Sequence, residues 1–286
     1  MLYDTILSCT PIVGGWSPDR KYRAESADGS RYFLRIAAPE RAERMERVFR
    51  LQTQAAALAL PMALPLECGP CQEGFYTIET WIEGEDARSA IPRRTEEQLY
   101  DDGLRAGRIL RALHTIPAPA DCPPWGPRFR AKLDQRLEDY RACPLKYEGD
   151  EFLLRVVDED RGLTAERPQC FRHGDYHAGN FRYRDGQLSV IDFDRCSFGD
   201  PWEEFKKILW TVEASPALAR GVTDGYFNGR VPEEFWRLLR FYICYGQLGS
   251  LPWAIPFGEG EIRVMREQTR QVLRWYEHGI MPPFYG

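Results

Sequence analysis

The sequence predicts an α+β protein with two lobes, a small mixed β/α lobe followed by a larger and mainly helical lobe. The chain has 286 residues, of which 43% are hydrophobic and 28% are charged, so it can bury one large core or two modest ones. Strand and turn signals dominate up to about residue 80. Beyond that point apolar residues recur at three- and four-residue spacings, which is the period of amphipathic helices.

The first lobe, predicted over residues 1–80, consists of strands interrupted by one helix. Asp28-Gly29 is a hairpin signal between two β-rich runs. The helix is expected within Glu40–Leu60, because strong helix formers lie there between Pro39 and Pro61. Strand signals fall at Tyr22–Glu25, Tyr32–Ile36, Leu64–Leu66 and Phe75–Thr80, with a turn over Cys68–Gly74. The predicted order is three strands, one helix and two strands, with bounds assigned to two of the first three strands.

Residues 81–94 are expected to form a hinge, and residues 95–286 to form the helical lobe. Two short strands, Phe181–Tyr183 and Leu188–Ile191, interrupt the helical pattern. Helix signals fall at Glu96–His114, Phe129–Ala142, Glu151–Thr164, Glu203–Glu213, Glu233–Gly246 and Glu261–His278.

Charge and cysteine usage exclude several classes of protein. The formal net charge of -5 disfavours binding of nucleic acid along the whole chain, because the phosphate backbone is also negatively charged. No apolar run approaches the roughly 18 residues of a spanning helix, and the N-terminus lacks the charge of a secretory signal. The eight scattered cysteines suggest reduced thiols, and Cys68 and Cys71 lack the second ligand pair of a zinc site. We therefore expect a cytoplasmic protein with no nucleic-acid or membrane partner.

Chemistry-bearing residues concentrate between His173 and Asp200. The segment His173–Asn180 is too polar and glycine-rich to be core. Asn180 lies five positions after Asp175, and Asp192 follows twelve positions later with a phenylalanine after it. This is the spacing of a kinase catalytic loop and its metal-binding element, in which the first Asp takes the hydroxyl proton. Amide and carboxylate oxygens suit Mg²⁺, so we expect Asn180 and Asp192 to hold it and Asp175 to be catalytic.

These motifs, together with Gly199-Asp200-Pro201, resemble the aminoglycoside phosphotransferase-type family of small-molecule kinases. Gly174 stands where protein kinases have Arg, and no Gly follows Phe193, so the resemblance is to the small-molecule branch. It implies a two-lobed protein-kinase-like fold with ATP or GTP in the cleft. The implied activity is transfer of the γ-phosphoryl group to a hydroxyl of an aminoglycoside, an amino alcohol or a sugar.

The resemblance also implies nucleotide-binding positions in the first lobe. Arg35 stands where the family has a phosphate-binding Lys, and its guanidinium is a planar fork rather than a point charge. Its expected partner is Glu46, with Glu43 as the competitor.

Two backbone segments are expected to meet the nucleotide as well. The phosphate-covering loop would be Val13–Ser17, where Gly14 and Gly15 precede Trp16 and allow close backbone approach. The hinge that meets adenine would run from Glu79 through Trp81 to Ile82.

Other interpretations remain open at this point. Arg35 in place of Lys suggests a catalytically silent, nucleotide-binding relative. A metal-dependent hydrolase would need His173, Asp175 and His177 on one face of a strand. A small-molecule acceptor with a cationic amine is one further expectation, from the acidic residues Asp192, Asp194, Asp200, Glu203 and Glu204.

Overall fold

Two units make up the protein, and each consists of two chain segments. The computed structural model describes residues 1–15 and 17–286. Met1–Arg93 and His173–Ser197 form the first unit, and Arg94–Arg172 and Phe198–Gly286 form the second. The predicted partition assigned residues 173–197 to the helical lobe, whereas the contacts of this segment group it with the N-terminal segment.

The first unit contains a five-stranded antiparallel sheet in the order β1-β2-β3-β5-β4. The predicted order of three strands, a helix and two strands is confirmed. The strands are β1 (Ile6–Pro11), β2 (Arg20–Ser26), β3 (Arg31–Ala37), β4 (Pro65–Cys71) and β5 (Gly74–Thr80), and the helix is α1 (Ala42–Ala56). The turn predicted over Cys68–Gly74 is shorter in the structure, because β4 continues to Cys71 and pairs with β5 up to Gly74.

Alternate side chains of strand β3 point to a hydrophobic face and to a polar face of the sheet. Leu34 and Ile36 are buried in the core cluster of the sheet. Arg35 lies between them and therefore points to the opposite face, since side chains alternate along a strand. Glu79 lies on that opposite face, because it is paired with Phe33, two residues from Arg35. Helix α1 covers this face, and its Gln52 side chain donates to the Glu79 carboxylate over 3.1 Å.

A three-stranded sheet joins the two segments of the first unit. Its strands are β6 (Glu85–Asp86), β8 (Phe181–Arg184) and β9 (Gln187–Val190), and the short helix α2 (Ala87–Ala90) follows β6. β6 pairs with β8, and Met62 forms a bridge with Val190. These long-range pairings explain why the segment 173–197 belongs with the N-terminal residues.

The second unit is mainly helical. Its helices are α3 (Glu96–Leu113), α4 (Trp125–Ala142), α5 (Asp150–Asp160), α6 (Ile208–Ala214), α7 (Pro216–Phe227), α8 (Glu233–Ala254) and α9 (Glu259–Tyr276), and its strand β7 is Cys170–Arg172. A further strand, β10 (Ser197–Gly199), begins at the last residue of the first unit. Predicted helix Glu203–Glu213 is a 3₁₀ helix over Pro201–Lys207 followed by α6. None of the helices in the described part of the chain has the length and apolar character needed to cross a bilayer.

Helices α3 and α7 approach each other closely through glycines. A Cβ atom added at Gly103 would lie 2.3 Å from the Leu218 carbonyl oxygen, and one at Gly107 would lie 2.2 Å from that of Val222. Helix α7 was not predicted, although the Ser215 side chain caps it by accepting from the Leu218 amide and Pro216 is its first residue.

Candidate active site

His173 braces the loop that carries Asp175. The ring is fully buried, and the Asp175 amide donates to its Nδ1 over 3.2 Å. The proton therefore lies on Nε2, which donates to the Ile191 carbonyl over 3.0 Å. The ring also packs against Phe193 with 4.5 Å between centroids. His173 thus ties the loop to the residues on either side of Asp192.

Gly174 lets the backbone turn sharply before Asp175. Its φ is 86°, which is in the left-handed region that favours glycine. A Cβ atom here would lie 2.2 Å from the Arg195 carbonyl oxygen. Any larger residue would therefore displace either this loop or the segment around Arg195.

Asp175, Asn180 and Asp192 meet in one cleft of about 680 Å³ within the first unit. The Asn180 side-chain amide donates to the Asp175 carbonyl over 2.7 Å. The Ile191 amide donates to the Asn180 carbonyl over 3.0 Å, so Asp192 follows directly after a residue bonded to this loop. The hairpin of β8 and β9 connects Asn180 to Asp192. These residues therefore come together through a short stretch of the chain.

Asp175 lies beside two nitrogen-bearing side chains. His177 Nε2 is 3.7 Å from one carboxylate oxygen, and Arg195 Nε is 4.0 Å from the other. The Gly179 amide donates to His177 Nδ1 over 3.0 Å, so Nε2 carries the proton that faces Asp175. These groups orient the carboxylate toward the cleft.

Arg35 is buried against three aspartates. Its guanidinium lies 2.9 Å from Asp192, 3.2 Å from Asp194 and 3.5 Å from Asp19. Burial alone would lower the pKa of Arg35, but Asp192 and the other nearby carboxylates raise it above the ordinary value. Arg35 therefore stays charged and holds the Asp192 carboxylate.

Asp194, not Glu46, links Arg35 to helix α1. Arg44 in α1 makes a bidentate contact with the Asp194 carboxylate over 2.9 and 3.1 Å. Burial would raise the pKa of Asp194, but its hydrogen bond to Arg44 and the charges of Arg35 and Arg44 lower it. The connection between strand and helix is therefore Arg35–Asp194–Arg44.

The expected Arg35–Glu46 ion pair is absent from the structure of the described residues. Glu46 is exposed and pairs with Arg50 one turn later, and the competitor Glu43 is exposed as well. The physical reason is the orientation of α1, whose buried face includes Met45, so that position 46 is rotated by roughly 100° toward solvent.

Glu79 is a further buried acid near Arg35. Burial raises its pKa to about 7, and the Arg35 charge and the Gln52 hydrogen bond oppose this shift only in part. Its side chain faces α1 rather than the cleft. Trp81 does not line the cleft either, and its amide lies 3.4 Å from the Arg31 carbonyl. Contact between this segment's backbone and adenine stays a prediction.

Basic side chains line much of the cleft. They are Lys21, Arg35, Arg41, Arg44, Arg88 and Arg195. Gly15, from the predicted phosphate-covering loop, also lines it, with φ at 84°. Gly14 has φ at 117° but does not line the cleft, and Trp16 lies outside the described residues. The excess of cationic groups is suited to a polyphosphate.

The donor atoms in the cleft fit a hard divalent cation. Because Asn180 uses its NH₂ group to bond Asp175, its amide oxygen is the atom left for a ligand. The Asp192 side chain is 37% exposed although Arg35 contacts it. Among the described residues, no cluster of three or more His, Cys, Asp or Glu could hold a metal. An amide and a carboxylate alone suit Mg²⁺, which completes its shell with phosphate oxygens and water.

Three acids of the predicted acidic stretch lie in the second unit and are already paired. Asp200 accepts from the Trp202 amide over 2.9 Å and from the Tyr242 hydroxyl over 2.6 Å. Glu203 forms ion pairs with Arg172 and Lys206. Glu204 lies 3.9 Å from His114, and its charge opposes the lowering of the Arg172 pKa by burial. Together with Asp192 and Asp194, which face Arg35, these acids offer little uncompensated charge to a cationic acceptor.

Sequence reasoning missed several residues of the site. Asp19 and Arg41, which pair over 2.8 Å, carry no motif, and their only local signal is a position at the end of a loop and at the start of a helix. Arg44 had no signal either, because the apolar pattern of α1 does not show which polar residue beside Met45 finds a partner. Gln52 had no signal, because its role depends on Glu79, which is distant in sequence.

Comparison with known proteins identifies a family that the sequence matches and solved structures with a similar fold. Residues 8–239 match the phosphotransferase enzyme family known as APH. No curated protein matches the sequence significantly.

Solved structures match the chain over nearly its whole length. A thermostable mutant of the aminoglycoside phosphotransferase APH(4)-Ia, in ternary complex with ADP and hygromycin B, is 18% identical with a TM-score of 0.69, covering 96% of this chain and 95% of that one. Amicoumacin kinase hAmiN, in complex with AMP-PNP, Ca²⁺ and Ami, is 15% identical with a TM-score of 0.67 and coverages of 97% and 91%. A choline/ethanolamine kinase family protein from Mesorhizobium loti is 17% identical with a TM-score of 0.69 and coverages of 94% and 89%. At these identities the likeness establishes the fold, and the predicted kinase-like α+β fold is confirmed.

Proposed function

The chain belongs to the APH phosphotransferase enzyme family, and from that premise we propose that it transfers the γ-phosphoryl group of ATP or GTP to a hydroxyl of a small molecule. The observation that carries the proposal is the meeting of Asp175, Asn180 and Asp192 in one cleft lined by arginines. The named ligands of similar folds, ADP and AMP-PNP among them, support a nucleotide as the donor. Aminoglycosides, amino alcohols and sugars are the acceptor classes to test.

Asp175 is the catalytic base of the proposed reaction. Its carboxylate takes the proton of the acceptor hydroxyl while that oxygen forms a bond to the γ-phosphorus. The bond between the γ-phosphorus and the bridging oxygen breaks, and the nucleoside diphosphate leaves. His177 and Arg195 hold the carboxylate in place for this transfer.

Asn180 and Asp192 would hold Mg²⁺, which supplies charge neutralisation for the phosphates when bound. The cleft-lining Lys21, Arg41 and Arg88 would bind the phosphate chain. Arg35 keeps Asp192 in the cleft through their 2.9 Å contact. Gly15 allows the backbone to approach the phosphates closely.

One observation favours a second candidate, a catalytically silent nucleotide-binding protein. The Arg35 guanidinium already contacts Asp192, so it competes with a metal ion for that carboxylate. The hydrolase interpretation has no comparable support. Strand β7 ends at Arg172, and both ring nitrogens of His173 already have hydrogen-bond partners, the Asp175 amide and the Ile191 carbonyl.

Phosphoryl transfer is tested with γ-labelled ATP and GTP, Mg²⁺, and a panel of aminoglycosides, amino alcohols and sugars. We expect labelled acceptor from at least one class. Asp175→Asn should lose at least roughly a hundredfold in rate and keep nucleotide affinity, because a base acts on the proton and not on the nucleotide. Asp192→Ala should lose metal-dependent activity. The exposed Asp185 is the matched control, since Asp185→Asn removes a similar charge from the same unit.

The two candidates separate in a binding experiment with a fluorescent nucleotide. Saturable binding without transfer to any acceptor would support the silent protein. Transfer that survives Asp175→Asn at the wild-type rate would contradict the catalytic role of Asp175.

A further inference from the structure

Cations gather around a buried tryptophan in the second unit. The Trp125 side chain is 1% exposed. Arg128, Lys132 and Arg172 lie over its ring, with 5.4, 5.6 and 5.0 Å between the cationic group and the ring centroid. Cation–π contacts favour each of these groups singly, but three together repel one another.

Helix α4 supplies a stripe of this charge. Arg128, Lys132 and Arg136 are spaced by four residues and therefore share one face of the helix. Arg136 lies 4.0 Å above the Tyr245 ring and donates to the Tyr245 carbonyl over 3.3 Å. These contacts hold the guanidinium in one place, so the stripe is not a row of freely solvated side chains.

Cations outnumber carboxylates in this cluster, in which Glu203 and Glu204 are the acids near Arg172 and Lys206. Glu203 is buried and shared between Arg172 and Lys206. Within the described residues, no carboxylate lies within the 4.0 Å of an ion pair from Lys132 or Arg136. The cluster therefore retains positive charge in partly buried surroundings, where it is screened poorly.

The pKa values of two lysines in the cluster are lowered, which agrees with an excess of cations. Burial lowers the pKa of Lys206 well below its ordinary value, and the charges of Arg172, Arg136 and Lys207 lower it further. The pKa of Lys132 is lowered by burial and by Arg172, Arg128 and Arg136. Both lysines thus respond to the same two arginines, Arg136 and Arg172.

We propose that Lys132, Arg136 and Lys206 form a binding site for an oxyanion, the phosphate or carboxylate group of a small molecule. The buried Arg172 adds positive charge to the cluster, and Arg136 offers a planar fork that matches two oxygens of such a group. A bound anion would relieve the repulsion among the cations. The site lies within the second unit and does not depend on the proposed phosphoryl transfer.

Lysine NMR provides a local readout of this site. The chain has five lysines, Lys21, Lys132, Lys146, Lys206 and Lys207, and reductive ¹³C-methylation labels them. Single Lys→Arg variants assign the signals while keeping the charge. Inorganic phosphate and succinate are titrated separately, against chloride at equal ionic strength.

Two further lysines serve for comparison. Lys21 lines the cleft of the first unit and reports anion binding there. Lys146 bonds the Tyr140 carbonyl over 3.0 Å and serves as the reference.

We expect saturable shifts of the Lys132 and Lys206 signals with phosphate or succinate, and no matching shift at Lys146. Tighter binding of phosphate would identify a phosphate group as the ligand, and tighter binding of succinate a carboxylate. Shifts no larger than those with chloride, or equal shifts at Lys146, would overturn the proposal.

A charge-removing variant tests the stripe itself. Lys132 is exposed, so Lys132→Gln should fold, and the Lys206 signal then reports a dissociation constant weakened about three- to fivefold by the loss of one nearby charge. The matched control is Arg130→Gln, which removes a charge from an exposed position of α4 off the stripe. It should leave the constant unchanged. Equal weakening by both variants would mean that general surface charge, and not the proposed site, attracts the anion.

Discussion

Gly174 is the residue at which backbone geometry constrains the catalytic loop most directly. Its φ of 86° disfavours any L side chain, and a Cβ atom added there would lie only 2.2 Å from the Arg195 carbonyl oxygen. Side chains are therefore excluded for two separate reasons. The same position distinguishes the sequence from protein kinases, which have Arg there. A motif difference seen in the sequence thus has a steric cause in the fold.

Gly174→Ala should destabilise the protein by about 3 kcal/mol or more, since a left-handed conformation costs an L-residue roughly 1–2 kcal/mol and overpacking adds to it. Urea unfolding measures the loss. Gly186→Ala is the control, because Gly186 has φ at 74° but no atom within 4 Å of the added Cβ. It should lose only about 1 kcal/mol. Equal losses in the two variants would mean that the contact with Arg195 contributes nothing.

The meeting of the proposed site residues in one cleft could be predicted from the sequence because their spacing is local. Asp175, Asn180 and Asp192 are joined by one loop and one hairpin, so their separation along the chain limits their separation in space. Asp19 and Arg35 have no such restraint toward Asp192. Their meeting depends on how β3 and the loop before β2 lie against a distant segment, which no short motif records.

At the scale of elements, helix α1 is coupled to strand β3 through a third segment. Arg44 and Arg35 both contact Asp194, which lies between β9 and β10. The apolar pattern of α1 places Met45 and Val48 on the buried face of the helix. It could not reveal which polar residue points inward, because that depends on the partner offered by the sheet.

The coupling through Asp194 predicts a non-additive pair. Arg44→Met and Asp194→Asn should each lower the free energy of unfolding, and the double variant should lose less than the sum by about 1 kcal/mol. Denaturant unfolding of the four proteins measures the difference. Glu46→Gln replaces Arg44→Met in the control cycle and should be additive with Asp194→Asn. If Arg44→Met and Asp194→Asn add to within about 0.3–0.5 kcal/mol, as independent sites do, the coupling through Asp194 is contradicted.

The contact between α1 and β5 predicts a dependence of stability on pH. Burial raises the pKa of Glu79 from 4.5 to about 7, so the folded state binds more protons than the unfolded state between these values. Stability from this group is therefore present at low pH and is lost as pH rises through this window.

Glu79→Gln should remove this part of the pH dependence, roughly 2 kcal/mol between pH 5 and pH 8. Unfolding free energies of wild type and variant are compared at the two values. Glu46→Gln, an exposed change on α1, should keep the wild-type slope. The same slope in Glu79→Gln as in wild type would mean that Glu79 is ionised throughout.

At the scale of the whole molecule, the first unit is assembled from distant parts of the sequence. The Ala63 amide donates to the Val190 carbonyl over 3.0 Å, and the Val190 amide donates to the Pro61 carbonyl over 2.9 Å. The local pattern of apolar residues predicted the strands that lie next to the two ends of these hydrogen bonds. It could not predict that they pair, because pairing of distant strands depends on contacts that window-based patterns do not contain.

The reactivity of the cysteine thiols tests, in one experiment, whether the cores of both units are closed to solvent. All eight are free, and the buried ones are Cys143, Cys170, Cys196 and Cys244. Burial raises the pKa of the Cys170 thiol to about 12 and that of Cys244 still further above its ordinary value. A thiol reacts as its thiolate, so these side chains are protected both by poor access and by protonation.

A thiol reagent at pH 8 should therefore react quickly with no more than four groups in the native protein, and with eight in denaturant. The reactive groups are Cys9, Cys68, Cys71 and Cys122, and burial slows Cys9 and Cys68 because it raises the pKa of each. Cys9→Ser should remove one native reactive group, whereas Cys244→Ser should remove none and lower only the count in denaturant. Because Cys196 belongs to the first unit and Cys170 and Cys244 to the second, rapid reaction of any of them would identify the unit whose core is open to solvent.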